Sequence, residues 1–350
     1  MDDDATNQRH GHARLASIEQ NSDGTSTITY RGNWSEWGRD SNGAGFGYCT
    51  DFRVGDRVFI YTSDGQLVCD GEALTATVKT GKTELDEVMK QYFQNIGMSP
   101  SDSQMSYEFR TVKVRTEDVN MQALAGFNLE AEGWDNSEKV LVDNMSMASN
   151  GFIFDNCRIQ NIRSRGLLIK ASEGKILNCT FRNVGMACAA ILYEIYWGES
   201  GVSENLVVAR NVMDHTGYFT KYTSGNEDRY SPIAIEGLGS RVEEDYLLYK
   251  NIQITDNVIR NRTTKYAVYV NSARDVVIKN NDFGDRVGGE DPENPTLAIH
   301  LNGAMNVEIS GNKYSSLDLL VEEKIKARHV KNIFGSDVEY DGQHLIPDQE

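Results

Sequence analysis

One step recurs along the second half of this 350-residue chain: an asparagine, one or two further residues, then an apolar side chain. It occurs at Asn156, Asn178, Asn211, Asn257, Asn281 and Asn312, with spacings of 22, 33, 46, 24 and 31 residues. A base period near 22 with insertions in some turns marks coils that cannot bury their apolar face alone and must stack on their neighbours. The repeat predicts an all-β fold, a right-handed parallel β-helix, in which the turn asparagines form a ladder whose amides bond to the coils above and below. Composition agrees, since 31 glycines and 28 asparagines suit many turns, and none of the 5 prolines lies between Pro100 and Pro232.

A second set of segments follows the asparagine turns: 166–170, 190–194, 232–236, 267–271 and 296–300. Side chains alternate across a strand, so Leu167/Ile169, Ile191/Tyr193, Ile233/Ile235 and Leu297/Ile299 are expected in the coil interior. The alternate positions then face outward. Lys170, Glu194, Glu236, Asn271 and His300 are expected to form one polar column, with neighbours about 4.8 Å apart. Such a column is either a solvated face or a binding surface, and its mixture of carboxylates, cation and histidine favours the second.

Residues 1–145 lack the repeat. Segments 26–30, 57–61 and 76–78, with the turn Ser63 to Gly65, read as antiparallel strands of a small β-barrel or sandwich. One helix is expected there, capped by Thr83, with Leu85, Val88, Met89, Tyr92, Phe93 and Ile96 at helical spacing before Gly97. The expected division is a first coil segment over 1–12, a barrel-like accessory domain over 13–140, the β-helix over 141–335 and a polar tail over 336–350. The five cysteines, Cys49, Cys69, Cys157, Cys179 and Cys188, show no C-x-x-C pair and read as buried thiols. No run of 18 apolar residues exists, so no membrane-spanning helix is expected.

Thirty-five Lys+Arg against 52 Asp+Glu leave a formal charge of −17, which argues against a nucleic-acid or anionic-membrane partner and points to a neutral ligand. Six scattered histidines and the absence of H-E-x-x-H, Walker or G-x-G-x-x-G motifs exclude a multi-histidine metal centre and a nucleotide loop, so no cofactor is expected. Any chemistry must then come from carboxylates. The acidic run Asp2 to Asp4 is either an exposed terminus or a pair in which one acid holds a raised pKa or both position a water. Arg165, just before a core strand, suits clamping sugar hydroxyls or a carboxylate. Glu194 to Gly201 places Glu194, Glu199 and Trp197 in one turn, where Trp197 is either turn packing or a platform for the apolar face of a pyranose. The stretch Asn226 to Tyr230, leading to Glu236, lies in the longest insertion and is a candidate cleft wall.

The order Asp-Asp-Ala-x-Asn (Asp3 to Asn7), then Gly45–Phe46 and Phe52 to Asp56, then Asn161 to Gly166, then Trp197 to Gly201, resembles family 110 glycoside hydrolases, which are α-1,3-galactosidases. The resemblance runs over nearly the whole chain. It implies a parallel β-helix with an inserted β-barrel, and inversion at the anomeric centre by carboxylates without a cofactor. It further implies that Asp3 and Asp4 match the family's cleft pair, that Arg165, Trp197 and Glu199 match its cleft motifs, and that the chain starts in mid-domain, the complete protein then being secreted or periplasmic. Here Gln8 and Arg9 stand between Asn7 and His10, where the family has its histidine two residues after the asparagine. The expected activity is an inverting exo-glycosidase for a terminal α-linked galactose-type sugar. Asp3, Asp4, Glu194 and Glu199 are its candidate acids and bases, and Arg165, Trp197, Asn7, Lys170, Glu236 and Tyr230 its substrate-binding residues. Glu194 one coil after Arg165, and the Asp pair one coil before, would stand about 10 Å apart at ~4.8 Å per rung, near the ~6.5–9.5 Å that inversion requires. The alternatives are a non-catalytic carbohydrate-binding or structural β-helix, and a polysaccharide lyase, for which a −17 chain is poorly suited.

Overall fold

The computed structural model describes residues 5–8, 12–32, 51–84, 106–130, 139–195, 199, 202–219, 228–239, 241–243, 246–284, 287, 297–314 and 325–338. The fold is all-β, and among these residues there is no helix of seven or more. None is long and apolar enough to cross a membrane. The chain divides into two compact units, one drawn from 10–148 with 194–200, the other from 1–9, 149–193 and 201–350.

The second unit consists of parallel ladders that the chain visits in turn. One ladder stacks Thr6–Gln8, Leu167–Ile169, Ala189–Leu192, Ile233–Glu236, Val268–Lys279, Ile299–Ser310 and Ile325–Phe334. Another stacks Ile153–Asp155, Lys175–Leu177, Glu204–Ala209 and Tyr249–Thr255, and merges with the first at the long strand Val268–Lys279. A third runs through Arg158–Ile162, Thr180–Val184, Val212–Thr216, Val258–Arg260, Asp282–Phe283 and Lys313–Tyr314. Short β-branched and leucine-rich strands suit this arrangement, because each buries its inward side chains only against the rung beside it. Level rows such as Ile169, Ile191, Ile235, Val270 and Leu301 fill one core. The inward pair of the later rung is Ile299/Leu301 rather than Leu297/Ile299, since Leu297 precedes the strand.

The asparagine ladder exists, with a change of membership. Asn211, Asn257, Asn281 and Asn312 are its buried or part-buried rungs. Each Oδ1 accepts from the backbone N–H of the equivalent residue on the preceding rung: Cys179 to Asn211 at 2.8 Å, Asn211 to Asn257 at 3.0 Å, Asn257 to Asn281 at 3.0 Å and Asn281 to Asn312 at 2.9 Å. Each Nδ2 donates to a backbone carbonyl and to the next Oδ1, as Asn257 does to Val208 at 2.9 Å and Asn281 at 2.9 Å. Asn156 and Asn178 stand one residue earlier, at the corner, where φ is 53° for both, and Cys179 occupies the ladder position instead. Both sites favour asparagine, the corner because its short side chain tolerates left-handed φ, the ladder because its amide both donates and accepts. The sequence step therefore merges two structural positions. Asp337 ends the ladder, its Oδ2 accepting from the Asn312 N–H at 2.9 Å and Nδ2 at 2.8 Å, so the stack runs past 335, where a polar tail was expected.

The first unit is antiparallel. Thr25–Gly32 pairs with His12–Gln20, then in order come Val140–Asn144, Arg57–Thr62, Leu67–Ala73 and Ser106–Arg115, which pairs back onto Thr25–Gly32 and closes a ring. Ile28, Tyr30, Val58, Ile60, Val112, Val114 and Val142 fill its core. Residues 141–144 of the strand Val140–Asn144, placed by sequence in the parallel stack, belong to this ring. Thr83, read as a helix cap, lies in the strand Val78–Glu84, paired with Ser106–Arg115. The residues expected to form the helix, Leu85 to Ile96, lie outside the described residues. Cys69, Cys179 and Cys188 are buried free thiols and Cys157 is half-buried, while Cys49 lies outside the described residues.

Candidate functional site

Across the first parallel ladder, positions that alternate with the core row point away from it. Two outward rows result. One is Leu168, Ala190, Ala234, Tyr269, His300 and Lys326, level with Asn7 of the first rung. The next is Leu192, Glu236, Asn271, Asn302 and Arg328. The early rungs are apolar, and Leu168, Ala187, Ala190, Leu192 and Ala234 form their own small buried cluster. From Glu236 onward the rows turn polar and aromatic, with Tyr269, Asn271 and His300 buried, Glu236, Asn302 and Lys326 half-buried and Arg328 exposed.

Three groups meet at that change of character. Arg229 sits in the single 3-10 turn Asp228–Tyr230, immediately ahead of the strand Ile233–Glu236. Its Nε forms an ion pair with Glu236 Oε2, and the Glu236 side chain is only 13 % exposed. The Arg229 guanidinium carbon also lies 5.8 Å from the centroid of the Tyr193 ring. Burial, and then the Glu236 carboxylate, push the Tyr193 phenol upward against the opposing pull of Arg229. Tyr193 therefore stays a protonated hydrogen-bond donor near neutral pH. Farther along, His300, 6 % exposed, lies between two tyrosine rings, 4.7 Å from Tyr266 and 5.4 Å from Tyr269. Asn302 Nδ2 donates to Asn271 Oδ1 at 3.0 Å, and His329 Nδ1 donates to Asn302 Oδ1 at 3.4 Å. Polar groups that bond hydroxyls thus lie beside aromatic faces that cover an apolar ring plane, the usual composition of a small-molecule surface.

The expected polar column is corrected in two members. Glu236 and Asn271 are level, with Lys170, fully buried just past Ile169, beside Leu192 on the same line. His300 is two residues short of Asn302 and so falls in the neighbouring row. Glu194 lies two residues beyond Leu192 and groups with the antiparallel unit. The segments had been aligned on their last polar residue, whereas the register is set by the core pairs; slipping by two keeps the face but changes the row. Tyr193, expected inside, is half-buried against Arg229 instead.

Asp3, Asp4 and Trp197 lie outside the described residues. The acid pair leads directly into Thr6–Gln8, the rung beside Leu167–Ile169, and the Ala5 N–H donates to the Arg165 carbonyl at 3.2 Å. Arg165 is half-buried before that strand, Asn7 is level with Leu168, and Tyr230 is half-buried in the 3-10 turn beside Arg229. The rung arithmetic for Glu194 fails, because Ala187 is the residue level with Arg165 and Glu194 is seven positions later. Glu199 is 3 % exposed in the antiparallel unit; its N–H donates to the Glu194 carbonyl at 3.4 Å and its carbonyl accepts from His12 Nδ1 at 3.2 Å.

Tyr266 and Tyr269 were missed as site residues, while Arg229 lies in the Asn226 to Tyr230 stretch expected as a cleft wall. Strict alternation through 267–271 signals that Tyr269 shares a face with Asn271; the pairing of Arg229 with Glu236 has no sequence periodicity behind it. Among the described residues no group of three or more His, Cys, Asp or Glu side chains is placed to hold a metal ion. No protein-family model matches the chain, and no curated protein matches it.

Proposed function

We propose that the protein is an inverting exo-glycosidase built on a right-handed parallel β-helix, with the closed antiparallel ring as a small β-barrel, and that it acts on a terminal α-linked galactose-type sugar. The three ladders support the coil reading, and right-handedness follows from the strong preference of parallel crossover connections for that hand. The observation that carries the functional reading is the outward face on which Glu236, Arg229, Tyr193, Asn271 and His300 gather, in the same sheet whose first described rung is entered from Asp3 and Asp4.

Magnitudes divide the roles. Thr6–Gln8 and Ile233–Glu236 are three rungs apart, about 14 Å between backbones at ~4.8 Å per rung. The carboxyls of an inverting pair stand ~6.5–9.5 Å apart. Glu236, already neutralised by Arg229, is therefore assigned to substrate binding, and Asp3 and Asp4 to acid and base work. Arg165, Asn7, Tyr230 and Trp197 remain binding residues in this reading, whereas Lys170, fully buried, does not. Glu199, nearly fully buried, is given a structural role with Glu194.

The test is turnover of α- and β-galactosides, with proton NMR of the first-formed anomer. Asp3→Asn and Asp4→Asn are each expected to lose at least ~100-fold in kcat, and Glu236→Gln to raise KM with a smaller change in kcat. Full activity in both aspartate variants sinks the assignment. Binding of a galactoside without any turnover favours the non-catalytic carbohydrate-binding reading, which the Arg229 ion pair, by neutralising Glu236, also suits.

A further inference from the structure

A second surface of the parallel stack carries the features of a ligand site. Asn161, Asn183, His215 and Asn261 are level on four successive rungs of the third ladder, each in the left-handed region with φ between 52° and 57°. In an unbroken column each asparagine amide donates to the one before it, as Asn183 Nδ2 does to Asn161 Oδ1 at 2.9 Å. At the third rung histidine replaces asparagine and the column breaks. Asn261 Nδ2 turns instead to Asp214 Oδ1, at 2.7 Å, and His215 Nδ1 approaches the same oxygen at 3.4 Å. A groove of about 320 Å³ lies at the break, lined by Asn183, His215, Tyr218, Asn261, Thr263 and Val287.

The polar lining can both donate and accept. Asn183 Nδ2 and Asn261 Nδ2 each use one of two N–H donors, on Asn161 and Asp214, so each amide keeps a donor as well as its carbonyl acceptor. His215, whose Nδ1 faces Asp214 Oδ1 at 3.4 Å, adds its imidazole to the lining. One carboxylate thus orients two members of the lining, and Arg260 Nε, 3.8 Å from the same Asp214 oxygen, balances its charge. The apolar walls are the Tyr218 ring, 39 % exposed and anchored through its hydroxyl to the Ile162 carbonyl at 2.9 Å, and Val287, 49 % exposed. The polar groups of Asn183, His215 and Asn261 repeat at the rung spacing of ~4.8 Å.

We infer that this groove binds a neutral saccharide, whose hydroxyls both donate to and accept from the two amides and the imidazole, and whose ring face covers Tyr218 and Val287. The volume fits the lower end of small-molecule sites, about 300 Å³ and upward, and so takes one or two sugar rings. Asp214 is a positioning residue here. The inference does not rest on the hydrolase reading, because it uses none of the residues assigned to that reaction.

The experiment combines calorimetric titration with soluble neutral disaccharides and photolabelling by a neutral disaccharide carrying a diazirine, followed by peptide mapping. Binding with Kd near 0.1–1 mM is expected, about −4 to −5.5 kcal/mol, with the label on segments 212–219 or 258–263 or on Val287. His215→Ala and Tyr218→Ala are each expected to weaken both binding and labelling at least ~10-fold, whereas Tyr218→Phe, which keeps the ring, retains most of the affinity. Thermal unfolding identifies any variant that loses its fold, and Tyr218→Phe then carries the comparison. Labelling confined to other segments, labelling undiminished in both alanine variants, or tetramethylammonium binding here in place of any saccharide overturns the inference. Failure of turnover with groove labelling intact sinks the hydrolase proposal alone.

Discussion

Asparagine serves this chain in two conformations that adjoin. At the corners it accepts left-handed φ, a region that costs most L-residues roughly 1–2 kcal/mol, and at the next position it saturates the ladder with one acceptor and two donors. Asp337 closes the ladder and titrates. Burial pulls its pKa up, but hydrogen bonds from the Asn312 backbone and amide, from Ser336 and from Tyr314 outweigh that and hold it below the ordinary carboxylate value. The unfolded chain therefore binds more protons than the folded one between that lowered value and about 3.9, and stability falls as pH drops through this window. In Asp337→Asn the acid limb of the stability–pH curve is expected to flatten. The same variant is expected to cost about 1–2 kcal/mol at pH 7, because the Gly311 N–H, now 2.7 Å from Oδ1, loses an acceptor. Urea unfolding between pH 2.5 and 7 measures both, and an unchanged acid limb contradicts the capping role.

Strands and turns in the stack are held to tight clearances where the chain passes from the third ladder to the first. Gly185 ends the strand Thr180–Val184, and a Cβ there would stand 1.9 Å from the Arg163 carbonyl oxygen of the rung below. That neighbour is backbone, so relief requires moving a rung. Gly24, by contrast, has open space around it but φ of +79°, so alanine there meets only conformational strain. Gly185→Ala is expected to cost about 3 kcal/mol or more, against roughly 1 kcal/mol for Gly24→Ala, as read by denaturant midpoints. Equal costs would show that the rung relaxes freely.

Among the described residues, the parallel stack and the antiparallel ring each have a large apolar core of their own. Chains of this kind commonly depart from a single two-state transition. Differential scanning calorimetry is expected to resolve two transitions. Asn257→Ala, which strands the Asn211 N–H and the Val208 carbonyl, should lower one by about 2–4 kcal/mol. Ile60→Ala should lower the other by a similar amount. A single transition that both variants shift together contradicts this. The all-β character was legible from the asparagine steps, the alternating segments and the scarcity of proline, because period and turn chemistry are local properties. The outward face of the 166–170 and 232–236 segments was legible for the same reason. The rows on that face were not. Separations of 32 and 46 residues between equivalent rungs are set by turn insertions, so the register comes from core pairing across rungs and not from counting along the chain. For that reason the union of Arg229, Glu236 and Tyr193, and the groove where His215 interrupts an asparagine column, exist only once the rungs of the parallel sheets are stacked.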